Sequence, residues 1–143
     1  MTRAIVLDTG PLGMAAHPRL SGDFRKWWEC LLHSNTPIFV PEIADYEVRR
    51  NLLLEDLTHS VERLNQLKET LNYLPITANV MLQAAEFWAF ARRRGQLPAD
   101  PKELNGDVIL AAQTKQVGAV VATENVGHLS LFVEAKSWRD IAL

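Results

Sequence analysis

Ala4-Ile5-Val6-Leu7-Asp8-Thr9-Gly10-Pro11-Leu12 decides the fold. Four apolar residues run unbroken into one acid, and Gly10-Pro11 closes the run directly after it. A short continuous apolar stretch bounded by Gly and Pro reads as a strand buried on both faces, of the kind found in parallel sheets covered by helices. The acid stands at the carboxyl end of that strand, where open α/β sheets bind ligands. Asp8 is therefore placed at the mouth of a crevice. Its other reading, as a cap for the following turn or helix, stays open at this point.

Working outward, Ala119-Val120-Val121-Ala122-Thr123 repeats the pattern and also ends in polar residues, Thr123-Glu124-Asn125. Pro37-Ile38-Phe39-Val40-Pro41 reads as a short buried strand, and 73–76 as an edge strand, where Pro75 is tolerated. The spacing predicts a helix over 22–32, capped by Ser21, with Phe24, Trp27, Trp28, Leu31 and Leu32 inward. A second runs over 41–54, where Ile43, Tyr46, Glu47, Arg50 and Leu54 share one side. A third, over 58–71, has Thr58 or Ser60 as cap and buries Val61, Leu64, Leu67 and Leu71. A fourth runs from the cap Thr77 to Arg94 and is closed by Gly95, with Met81, Ala84, Ala85, Trp88 and Ala91 inward. A polar loop over 96–106 then leads to a helix that opens at or near Asp107 and ends at Gly118, and 138–143 is a last short strand. Helices alternating with short apolar strands imply a three-layer α/β/α sandwich around a short, mainly parallel central sheet, with 1–143 as one domain.

Composition narrows the function classes. At 143 residues, 48% hydrophobic and 22% charged, the chain fits a globular protein with a real core. No apolar run approaches the ~18 residues of a membrane span, and the start is too short for a signal peptide, so no membrane association is expected. The single cysteine, Cys30, allows no internal disulfide and suits a cytoplasmic location; its place in a helix reads as an inert core residue. A formal charge of -2 argues against a broadly basic nucleic-acid binder, so contact with a polyanion must be local or helped by bound cations.

Three acids have suggestive addresses. Asp8 ends the first strand, Glu47 lies mid-helix beside an apolar face, and Asp107 follows Asn105-Gly106 at an expected helix start. Converging carboxylates repel, so a site built from them needs a cation, and oxygen ligands select Mg2+ or Mn2+. Such a cation polarises a phosphoryl oxygen and lowers the pKa of water, as phosphodiester hydrolysis requires. Each acid also has a plain structural role available: Glu47 can pair with Arg50, and Asp107 can serve a helix N-terminus.

Leu7-Asp8-Thr9-Gly10-Pro11-Leu12, Pro41-Glu42-Ile43-Ala44-Asp45-Tyr46-Glu47, Gly106-Asp107-Val108-Ile109-Leu110-Ala111-Ala112 and Ala122-Thr123-Glu124-Asn125-Val126-Gly127-His128-Leu129 occur in the order of a PIN domain. The chain resembles, more narrowly, the VapC-type toxin ribonucleases of bacterial toxin–antitoxin pairs, over nearly its whole length. The resemblance implies a Mg2+- or Mn2+-dependent endoribonuclease acting on single-stranded RNA, pairing as a homodimer and silenced by a cognate antitoxin protein. It matches Asp8, Glu47 and Asp107 to the metal-holding acids, and Thr123, Asn125 and His128 to the late polar motif. His128 departs from that motif, where many members carry an acid; Glu124 is the candidate to compensate. Arg50, Thr9 and His128 are the candidates for substrate contact, with Thr123 and Asn125 positioning a water or a phosphate.

Other readings compete. Arg92-Arg93-Arg94 reads as phosphate-gripping or as a solvated helix end. Trp27, Trp28 and Trp88 fall on apolar stripes and read as core rather than stacking platforms. The helices bearing Trp27, Trp28, Val61 and Leu64 are candidates for an apolar excess that a partner covers. Asp8-Thr9-Gly10 also spells the aspartic-protease triplet, which belongs to β-rich proteins. A dehalogenase-like phosphatase wants a second Asp where Gly10 stands, and a response regulator wants further acids and a late Lys. The non-enzyme alternative is a catalytically silent PIN-like module that binds RNA or protein; keeping three mutually repelling acids argues against it.

Overall fold

The computed structural model describes residues 3–20, 22–95 and 101–143. The opening stretch forms strand β1, Ile5–Leu7, buried at every position. Side chains alternate along a strand. Ile5 and Leu7 therefore enter one core cluster and Val6 the opposite one. Strands β2 (Ile38–Pro41), β3 (Asn72–Leu74), β4 (Val120–Thr123) and β5 (Ala135–Ser137) complete a sheet of order β3-β2-β1-β4-β5. All its pairs are parallel, with Ile5 opposite both Ile38 and Val120. The chain builds outward from β1 in one direction, then returns to its other side. The β1/β4 edge is thus the switch point where such sheets open a ligand crevice.

Helices α1 (Thr9–Ala16), α2 (Gly22–His33), α3 (Glu42–Leu54) and α4 (Thr58–Thr70) contribute to one cluster through Leu12, Trp28, Val48 and Leu64. Helices α6 (Pro101–Val117) and α7 (Val126–Leu129) contribute Leu110 and Leu129 to the cluster on the other face. Helix α5 (Ala78–Arg94) packs on α6 through Val80, Ala84 and Ala91 against Leu104, Val108 and Ala112. The result is the expected α/β/α layering with a parallel sheet, a PIN-like fold. Thr77 caps α5 by accepting from the Val80 N–H, and Gly95 ends it at φ 68°, as the sequence implied. Among the described residues no helix is long and apolar enough to cross a membrane.

Several expectations are corrected. The strand ends at Leu7 as expected, but Gly10-Pro11 after it is helical, lying in the first turn of α1, where proline costs no hydrogen bond. The helix expected at Asp107 begins at Pro101, so 101–106 is not loop; proline at a helix start needs no donor. The last strand is 135–137, and Trp138–Asp140 is a 3-10 turn. Residue Leu57, not Thr58 or Ser60, occupies the cap position of α4, without a side-chain hydrogen bond. Cys30 is exposed, since position 30 falls off the face set by Phe24, Trp27, Trp28 and Leu31. Leu32 is also largely exposed. On α5 the buried face is Val80, Ala84 and Ala91, which packs on α6, leaving Met81, Ala85 and Trp88 exposed. Trp27, Trp28 and Leu64 are core, Val61 is partly covered, and the apolar excess lies instead at Leu53, Leu54, Leu57, Met81, Leu82, Trp88 and Phe90. The expected cap Ser21 and the stretch 96–100 lie outside the described residues.

Trp28 is 1% exposed and stacks on Phe24 at a centroid distance of 6.0 Å, whereas Trp88 is 41% exposed. Trp28→Ala is expected to cost about 3–5 kcal/mol. Trp88→Ala is expected to cost about 0.5 kcal/mol or less. Urea unfolding of the two variants checks the assignment.

Candidate active site

Asp8 follows β1 at its carboxyl end and caps α1. Its Oδ1 accepts the Thr9 N–H at 2.7 Å, capping the helix, while Oδ2 accepts the Thr123 hydroxyl at 2.7 Å. Thr123 ends β4, which is paired in parallel with β1, and the pairing brings the two residues together. The same Thr123 oxygen accepts the Asn125 N–H at 2.9 Å, so the turn after β4 is tied to Asp8. Asn125 joins this network through its backbone, and its side chain stands exposed.

Glu47 reaches the site from α3. Its Oε1 accepts the Thr9 hydroxyl at 2.9 Å, and Arg50 lies 4.0 Å from Oε2. The ion pair with Arg50 is long and exposed, so it does not account for the placement of Glu47. Thr9, expected at the substrate, instead joins Asp8 and Glu47: its N–H serves one carboxylate and its hydroxyl the other. The close approach of α6 to Glu47 explains Gly106, since a Cβ there would stand 2.8 Å from Glu47 Oε2.

Asp107 sits in the second turn of α6, too far along to serve the helix N-terminus. Burial pushes its carboxyl up to about 7, and the charges of Asp8, Glu103 and Glu47 push the same way. Burial likewise raises Asp8, opposed by the hydroxyl of Thr123 and the N–H of Thr9. Glu103 was missed in the sequence because it was read as loop; on a helix, 103 and 107 are one turn apart. His128 Nδ1 is buried, lies 3.9 Å from Asp107 Oδ2, and has no hydrogen-bond partner. Glu124 does not compensate for it: Trp138 Nε1 donates to its Oε1 at 2.6 Å, and Arg139 to its Oε2 at 3.1 Å.

The site thus brings Asp8, Thr9, Glu47 and Thr123 into direct contact and holds Asp107 within electrostatic reach. Among the described residues no group of three or more His, Cys, Asp or Glu side chains forms a ready-made metal cage. The donor set nonetheless fits Mg2+ or Mn2+ in chemistry. Mg2+ keeps several waters and takes one or two carboxylates plus substrate oxygens rather than a closed protein cage. The mutual repulsion felt by Asp107 is what such a cation relieves.

The all-parallel sheet and its helices define a PIN-like α/β fold. The chain is similar to VapBC2 from Rickettsia felis bound to a DNA fragment from their promoter, at 16% identity and TM-score 0.76 over 94% of this chain and 98% of that one. It is also similar to FitAcB from Neisseria gonorrhoeae, at 20% identity and TM-score 0.73 over 96% of this chain and 99% of the other. VapBC-1 from nontypeable Haemophilus influenzae matches at 17% identity and TM-score 0.72 over 96% and 99%. No family model and no curated protein matches the sequence. The PIN-domain, VapC-type resemblance read from the sequence is borne out at the level of the fold.

An aspartate ordinarily ionises near pH 4, whereas Asp107 in the fold holds its proton to about 7. The native state binds that extra proton between the two values, so this contribution to stability is full below about pH 4 and is lost as pH rises to about 7. Without divalent metal, Asp107→Asn is expected to melt above the wild type at pH 8, by an advantage that fades toward pH 4. Thermal melts in chelator at both pH values check this. A variant destabilised at pH 8 would mean that the Asp107 carboxylate is net stabilising.

Proposed function

We propose that the protein is a divalent-metal-dependent endoribonuclease that cleaves single-stranded RNA, the toxin of a toxin–antitoxin pair. The observation that supports this most is Asp107, raised to about 7 at the sheet's switch point by burial and by Asp8, Glu103 and Glu47. A pure scaffold gains nothing from such repulsion. Asp8 and Asp107 would hold Mg2+ or Mn2+, with Glu47 completing the acidic set. When bound there, the cation supplies Lewis acidity toward a phosphoryl oxygen and lowers the pKa of water.

The chain's own residues account for the rest. The hydroxyls of Thr123 and Thr9 point the Asp8 and Glu47 carboxylates, leaving neither free to turn away. Asn125, at the cap of α7, and His128, on α7 and 3.9 Å from Asp107, are the candidates for a phosphate or a water. Arg50 offers a cation on the opposite rim, beside Glu47. The negative charge of the whole chain makes such local cations the means of holding RNA.

As partners we propose a second copy of the chain and an antitoxin, in the cytoplasm. VapBC2 and FitAcB are similar over nearly the full length of this chain, and the exposed apolar side chains Leu53, Leu54 and Leu57 are what protein contacts cover. Sedimentation is expected to give a dimer; a monomer at high concentration would remove that part alone.

Incubated with single-stranded RNA, the wild type is expected to cleave with Mg2+ or Mn2+ and to stop with EDTA. Asp8→Asn and Asp107→Asn are expected to lose about 100-fold or more of the activity. Mg2+ should also raise the melting temperature of the wild type more than that of either variant, because it binds only the folded site. Cleavage by metal-free protein, or none with any divalent ion, would overturn the assignment; RNA binding without cleavage would favour the silent module.

A further inference from the structure

Tyr46 is 55% exposed although it lies on α3 directly before Glu47. The Arg50 guanidinium stands 5.1 Å from the centre of its ring and also 4.0 Å from Glu47 Oε2. One cation thus stands over one face of an exposed ring and beside a carboxylate of the acidic site. We propose that Tyr46, held by Arg50, is the platform on which an unpaired substrate base stacks beside the scissile phosphate. The inference rests on the ribonuclease reading above and names the substrate feature that the same site recognises.

The chemistry favours this occupant. Stacking needs a ring with an accessible face, and bases offer theirs only when unpaired. An arginine alongside adds cation–π attraction and a charge for the adjoining phosphate. Ring–cation pairs also occur at Trp88 with Arg92 and at Phe90 with Arg94. Those sit on α5, which packs outside α6, and their cations touch no site carboxylate in any contact described above. Tyr73 is paired with Lys68, but its hydroxyl is turned to Asp45, away from the acidic site. The rival occupant is protein, since Leu53 and Leu54 end α3 exposed and Leu57 follows, exposed, at the cap of α4. Leu53 begins two turns, or about 10 Å, beyond Tyr46, with the charge of Arg50 between them.

The test uses full-length Asp8→Asn protein, in Mg2+, and a single-stranded RNA oligonucleotide carrying 2-aminopurine next to its cleavage site. Stacking on Tyr46 is expected to quench the fluorescence of the analogue. Tyr46→Ala in that background should abolish the quench and raise Kd roughly 5- to 150-fold. Tyr46→Phe, which keeps the ring, should restore both. In the otherwise wild-type protein, Tyr46→Ala should raise KM more than it lowers kcat, with an unchanged melting temperature.

Equal quenching and equal Kd in Tyr46→Ala would overturn the proposal while leaving metal-dependent cleavage standing. A Tyr46→Ala variant that binds RNA normally but shifts in sedimentation would assign the ring to a protein interface, and would also overturn it. Wild-type protein that neither binds nor cleaves RNA would remove the ribonuclease reading and this inference together.

Discussion

Strand β1 is squeezed between β2 and β4, and everything else in the molecule follows from that position. Its three residues are buried on both faces, which forces helices onto both sides of the sheet. Its parallel pairing with β4 in register, Ile5 with Val120 and Leu7 with Ala122, brings the two strands to an end side by side. Asp8 and Thr123 are the next residues to meet, and they do so at 2.7 Å. A one-residue slip of β4 would turn its side chains to the opposite faces and break that contact.

The crevice so formed concentrates negative charge, and the fold manages it by local means. Thr9 and Thr123 donate to carboxylates, and the backbone N–H of Thr9 adds a third donor. The Thr123 hydroxyl and the Thr9 N–H favour the ionised form of Asp8. Asp107 is pushed up to about 7 by burial and by the charges of Asp8, Glu103 and Glu47. Gly106 suits this crowding, because a Cβ there would stand 2.8 Å from Glu47 Oε2 and displace that carboxylate. Arg50 sits at the rim, joined to Glu47 on one side and Tyr46 on the other. The charge balance of the site is therefore local, which is compatible with a chain whose formal charge is only -2.

Away from the site, packing and exposure divide the helices. Helices α2 and α4 turn their aromatic and leucine faces inward, with Phe24, Trp27 and Trp138 forming a mutually contacting ring cluster. Trp138 also binds Glu124, so the end of the chain braces the turn that carries Asn125 and His128. Helix α5 packs on α6 and leaves Met81, Leu82, Trp88 and Phe90 at the surface. Periodicity puts Met81 and Trp88 inward because it registers an apolar stripe, and the stripe does not reveal how much of itself a neighbour covers.

The sequence by itself determined the buried strands β1 and β4, the layered α/β class, the cap and stop of α5, and the addresses of Asp8, Glu47 and Thr123. These rest on local physics: apolar continuity, helical period, and the chemistry of caps and glycine stops. Only the tertiary structure decided that Thr9 joins Asp8 to Glu47, that Glu124 is drawn off to Trp138 and Arg139, and that Asp107 lies in the second turn of a helix rather than at its start. It also decided which apolar faces are covered. Each of these depends on contacts between residues far apart in the chain, such as the 38 positions between Thr9 and Glu47 or the 115 between Asp8 and Thr123. Local propensity carries no information on such distances; the parallel register of the sheet and the seating of the helices supply it.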